Sequence, residues 1–96
     1  MSEIHTTPDQ RLVMMANQIA RAFAAQGPER AVAKTAEHIR AFWDRRMRRR
    51  IDAHVVAGGE GLDSCALTAL RQLMAGTEKP VPADEHSPFD QGSDAG

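Results

Sequence analysis

Three side chains of the kinds that ligate metals or attack carbonyls stand in the middle of this chain: His38, His54 and Cys65. A metal site needs such ligands at spacings that a turn or one helix face can gather, as in CxxC, HxxxH or HExxH. None of those spacings occurs, because His38 and His54 lie sixteen residues apart and Cys65 eleven further on. Cys65 could serve as a nucleophile only beside a base and an oxyanion donor. No residue is placed to activate it, so it reads as a structural thiol. Gly58-Gly59-Glu60-Gly61 precedes a helix start, as a phosphate cradle does. It lacks the strand before it, the GxGxxG spacing and the Lys-Ser/Thr ending, so it reads as a plain turn. The chain shows no catalytic constellation, and no metal or cofactor is expected on it.

Positive charge is the chemistry that rises above background. Residues 38–51 hold Phe42, Trp43 and six of the twelve basic residues. Arg45, Arg46, Arg48, Arg49 and Arg50 fill five of six consecutive positions. At 100° per residue these arginines cover an arc of roughly 200°, while Met47, Ile51, His54 and Val55 share a separate arc of roughly 100°. The run can therefore face solvent while the same helix packs through Met47, Ile51 and Val55. Like charges at i,i+3 and i,i+4 repel by a few tenths of a kcal/mol per pair, and a solvated helix face normally mixes signs. Something acidic is expected to compensate.

Nucleic acid, an anionic membrane and an acidic protein surface are the three candidates. Nucleic acid favours a more basic domain, with aromatic or amide residues beside the arginines. Membrane binding needs bulkier apolar groups than Met47, Ile51 and Val55. A protein surface is the preferred reading, since the planar guanidinium makes paired bonds to carboxylates and sheds water more cheaply than lysine.

The elements that position these residues follow from local signals. Thr7-Pro8-Asp9-Gln10 predicts a capping box with proline at the first helical position. That helix should run to about Ala25, with Leu12, Met15, Ala16, Ile19, Ala20 and Phe23 as one stripe and Met14 opposite. Gly27-Pro28 restarts a helix to about Trp43, whose Val32, Ala36, Ile39 and Trp43 face inward, flanked by Thr35 and Phe42, while Lys34, Glu37 and Arg40 point away. Asp44 is a candidate N-cap for a third helix, although helices two and three could equally form one bent rod. The Gly58–Gly61 turn ends the third helix, and Asp63 is expected to cap a fourth, to about Ala75, with Leu62, Ala66, Ala69, Leu70 and Leu73 inward. The expected fold is all-α, a small bundle of three to four helices over residues 7–75. Residues 1–6 are expected to be a flexible N-terminus, and residues 76–96 a disordered acidic tail.

Composition bounds the rest. Ninety-six residues allow one domain, and a core drawn from roughly 75 of them is near the lower limit of independent stability. The net charge of -1 hides an asymmetry: residues 1–75 carry eleven Lys and Arg against eight Asp and Glu, whereas residues 76–96 carry one against five. A lone cysteine, with no leader pattern and no long apolar run, sets the expectation of a soluble cytoplasmic protein away from membranes.

Several segments together resemble a known family. They are Met15-Ala16-Asn17-Gln18-Ile19-Ala20, His38 through Arg48, Gly58-Gly59-Glu60-Gly61-Leu62-Asp63, and Ala69-Leu70. This pattern, over about residues 9 to 74, is similar to the delta subunit of soluble NAD-dependent formate dehydrogenase. The Phe-Trp-Asp-x-Arg-Met-Arg block is its most specific part. The family often has proline where this chain has Arg45, which leaves the break after Asp44 open.

The resemblance implies a small, cofactor-free subunit of a multi-subunit enzyme. In such an enzyme the alpha subunit holds a molybdenum or tungsten pterin and iron-sulfur clusters, and flavin- and cluster-bearing subunits pass electrons to NAD. The expected function is docking on the alpha subunit to support assembly or stability, through Phe42, Trp43, Arg45, Arg46, Arg48, Arg49 and Arg50. Trp43 is read equally as a core residue. Second comes a maturation chaperone for insertion of the pterin cofactor, and third a small nucleic-acid-binding regulator.

Overall fold

A computed structural model describes residues 6–77. Four α-helices follow one another: α1 Pro8–Phe23, α2 Pro28–Phe42, α3 Arg45–Val56 and α4 Ser64–Ala75, with a short 3-10 turn at Ala24–Gln26 after α1. No strand occurs among the described residues. The expected all-α bundle is the observed one. The tail expected to be disordered lies, after Thr77, outside the described residues, as do the first five positions.

The predicted helix starts have local causes that the geometry shows directly. Thr7 Oγ1 accepts from the Gln10 backbone N–H at 3.0 Å, and Gln10 Oε1 accepts from the Thr7 N–H at 3.0 Å. This reciprocal pair satisfies two otherwise orphaned donors. Between α2 and α3 the chain is extended at Trp43 (φ -91°, ψ 136°) and Asp44 (φ -83°, ψ 176°), so the two are separate helices. Asp44 Oδ1 accepts from the Met47 N–H at 2.8 Å. Arg45 has not fused the helices, because the Asp44 side chain supplies the cap by itself.

Apolar faces of all four helices meet in one core: Leu12, Ile19 and Phe23 of α1, Ile39 of α2, Ile51 and Val55 of α3, and Leu70 and Leu73 of α4, joined by Trp43. Between these larger groups lie Ala16, Ala36, Ala66 and Ala69, each fully buried. With so small a side chain at these points the backbones can draw close, and α2 packs more extensively on α4 than on any other helix.

Three placements differ from the projected faces. Lys34 is 3% exposed and not solvent-facing, with its ammonium 5.7 Å from the centre of the Phe23 ring. Its four-carbon stem covers apolar surface while the charge meets an aromatic face, an arrangement a helical wheel does not anticipate. Phe42 is 69% exposed. The helix ends there, the next residue turns into the core as Trp43, and the Phe42 ring lies against His38 with centroids 4.6 Å apart. The buried stripe of α1 is also wider than projected, taking in Val13 and Asn17.

Asn17 joins α1 to the turn before α4. Its Nδ2 donates to the Gly61 carbonyl at 2.9 Å, and its Oδ1 accepts from the Asp63 N–H at 2.7 Å. One amide thus satisfies a backbone acceptor and a backbone donor, 44 and 46 residues away in sequence. Asp63 sits at the N-cap of α4 with extended backbone, but its carboxylate makes no cap bond. It pairs with Arg21 instead, Nε to Oδ2 at 3.3 Å. In the same turn Gly59 is buried with φ 66°, and a Cβ there would stand 2.8 Å from Leu67 Cδ1. The turn therefore needs glycine at that position.

Candidate protein-binding surface

α3 is held to the bundle by fully buried Ile51, by Val55 and by partly buried Met47. Each full burial of such a side chain contributes about 1.5–3 kcal/mol. Against this stands an unfavourable first turn, which contains Arg45 and Arg46 and no acidic residue. The N-terminal end of a helix is its positive pole, and a cation there costs about 0.3–1 kcal/mol. Arg45–Arg49 and Arg46–Arg50 add i,i+4 repulsions of about 0.2–0.5 kcal/mol each. Packing wins, so the helix forms, but its arginines oppose local stability.

The five arginines do not share one environment. Arg45, Arg46, Arg49 and Arg50 together line a shallow, open concavity on the outer side of α3. Arg48 turns away from it: it is half-buried and pairs with Asp52 one turn on, Nη2 to Oδ2 at 3.5 Å. The projection placed it with the solvent-facing set, and the nearby carboxylate draws it aside. Arg50 pairs with Asp9 of α1 at 3.1 Å. Among the described residues Arg45, Arg46 and Arg49 have no carboxylate within ion-pairing distance. Of the aromatic pair, Trp43 lies in the core and Phe42 on the surface.

Arg11 was not singled out by the sequence pattern. It stands on α1 beside Arg46 and Arg50, and with Thr6, Pro8, Leu12 and Met47 these residues line a cleft of about 230 Å³ between the first turns of α1 and α3. Only the packing of the two helices creates this neighbourhood. A basic residue two positions after Asp9 carried no signal of it.

The residues with potential reactivity are quiet. Among the described residues no group of three or more His, Cys, Asp or Glu side chains could hold a metal ion. Burial pushes the Cys65 thiol up, assisted by the charge of Asp63 and opposed by its 3.9 Å contact with the Thr35 hydroxyl. That favours the thiol over the nucleophilic thiolate. Burial holds the His38 imidazole below its ordinary value, with Glu37 acting in the opposite direction. His54 Nε2 lies 2.7 Å from the Glu60 carbonyl, and since a carbonyl only accepts, Nε2 carries the proton. Among the described residues no helix is long and apolar enough to cross a membrane.

Fold and surface together define a small four-helix protein with a strongly cationic outer face on its third helix. The chain belongs to the family of NADH-dependent formate dehydrogenase delta subunits, FdsD, whose model matches residues 11–70. That span runs from the second turn of α1 into α4 and includes Arg11, Asn17 and the whole arginine run. Family membership implies a formate dehydrogenase complex as the partner. No curated protein matches the chain, and no solved structure does.

Proposed function

We propose that this chain is a non-catalytic subunit that docks on the cofactor-bearing alpha subunit of a cytoplasmic formate dehydrogenase and supports assembly or stability of the complex. Membership of the delta-subunit family supports the setting. The observation that carries the docking role is the cationic concavity lined by Arg45, Arg46, Arg49 and Arg50. Guanidinium groups gathered on the first two turns of a helix, against their own repulsion and, for Arg45 and Arg46, against the helix dipole, are explained by carboxylates supplied from outside. In this reading the pterin, iron-sulfur clusters and flavin belong to the other subunits, and this chain binds none of them.

Phe42 fits the same surface as an exposed aromatic close in sequence to the arginines, and interface energy concentrates in aromatic and arginine side chains. Trp43 acts indirectly, by fixing the end of α2 from within the core.

Charge reversal at two exposed positions tests the role. Arg46→Glu with Arg49→Glu should release the chain from the complex during co-purification, with its helical circular dichroism retained. Undiminished co-purification of that folded variant removes the docking role. Stoichiometric presence in the native complex on size-exclusion chromatography distinguishes a resident subunit from a chaperone that departs after the cofactor is inserted.

A further inference from the structure

The cleft between the first turns of α1 and α3 has a more specific chemistry than the open arginine face. Pro8, Leu12 and Met47 supply apolar lining, and Arg11, Arg46 and Arg50 stand around it. The volume, about 230 Å³, is below the 300–1,000 Å³ typical of sites for whole cofactors or drug-sized ligands. It suits one large side chain. Three guanidinium groups around that small apolar recess select for carboxylates next to whatever fills it, since paired N–H donors match carboxylate geometry. Arg50 already gives one nitrogen to Asp9 at 3.1 Å, which holds its head at the cleft and leaves its other donors for a second acceptor.

We infer that this cleft receives an acidic segment of the partner enzyme carrying one bulky apolar residue, the apolar side chain seated on Pro8, Leu12 and Met47 and flanking carboxylates held by Arg11, Arg46 and Arg50. The inference rests on the docking role proposed above and makes it narrower. It moves the specific contact from the crest of α3 to the seam with α1, and it adds Arg11, which the arginine run does not contain. Charge complementarity identifies the occupant as acidic, and the apolar lining requires the single large hydrophobic group.

Arg11 separates the two claims. It is exposed on α1, so Arg11→Glu should leave the helical signal intact. It should also weaken retention in the complex about tenfold, as expected where a charge-assisted hydrogen bond is lost. Arg71→Glu, an exposed reversal on α4, should leave retention unchanged. If Arg46→Glu with Arg49→Glu releases the chain while Arg11→Glu does not, the docking face stands and the cleft is overturned. If none of these variants is released, both fall.

A direct probe uses the full chain labelled with ¹⁵N and a synthetic eight-residue Asp/Glu peptide with one central Leu. The amide signals of Leu12, Arg46 and Met47 should shift on titration. They should shift about tenfold more weakly per unit of peptide when the central Leu is Ala, and less as salt is raised. Equal binding by the Leu and Ala peptides overturns the apolar recess. If removing residues 78–96 shifts those same signals with no peptide present, the occupant is this chain's own acidic tail, and the proposal of a partner segment is overturned.

Discussion

Two polar regions of this small bundle are built on opposite principles. Where α1 meets the turn before α4, every group named is answered from within the fold: Asn17 bonds both Gly61 and Asp63, and Asp63 pairs with Arg21. At the start of α3, Arg45, Arg46 and Arg49 meet no carboxylate among the described residues, and Arg45 and Arg46 sit at the pole of the helix that disfavours them. The first region holds the fold together. The second weakens it slightly, and a surface that opposes its own helix is accounted for by what lies outside the chain.

Substitutions should therefore change stability in opposite directions in the two regions. The largest loss is expected in the core between them. Trp43→Ala removes a buried ring and should cost about 3–5 kcal/mol, enough to unfold much of a domain this size at 25 °C, whereas Phe42→Ser next to it should change stability by no more than about 0.5 kcal/mol. Urea titration of both variants checks the contrast. Next comes Asn17→Ala, which strands the Gly61 carbonyl and the Asp63 N–H. A loss of about 2 kcal/mol should lower the thermal midpoint by roughly 10 °C.

A smaller change of opposite sign is expected at the arginine end. Arg45→Glu replaces a cation with an anion in the first turn of α3 and turns its i,i+4 repulsion with Arg49 into attraction. It should raise stability by about 0.5–1 kcal/mol while reducing retention in the complex. The smallest effect is pH-dependent. The imidazole of His38 is held below 6.5 when folded, so the unfolded chain takes up its proton first as pH falls. The stability contributed is complete above pH 6.5 and is lost as pH drops through the folded value. His38→Gln should flatten that part of a urea-midpoint profile between pH 7.5 and 5.

What could be read from the sequence, and what could not, divides along the same physical line. Thr7, Gln10 and Asp44 act on backbone groups three residues away, so their caps were visible as short patterns. Ile51 and Val55 follow helical periodicity, and the wheel placed them inward correctly. Asn17 was invisible because its two partners lie 44 and 46 residues on. Lys34 was misplaced because a helical wheel scores the charge and not the stem, and Phe42 because it is the last residue of α2 and its side chain stays exposed while the chain turns into the core at Trp43. The arginine cluster was legible as a run. The i,i+4 spacing of Arg48 and Asp52 was a local signal that the projection passed over, whereas the cleft shared with Arg11 required the packing of α3 on α1.

The comparison is tested most directly by measuring two properties of one protein, the Arg46→Glu, Arg49→Glu variant: its thermal midpoint alone and its retention in the formate dehydrogenase complex. The account predicts a midpoint equal to or above that of the parent chain together with loss from the complex. A lowered midpoint with undiminished retention would show that these arginines serve the fold and not the partner, contradicting the account at its centre.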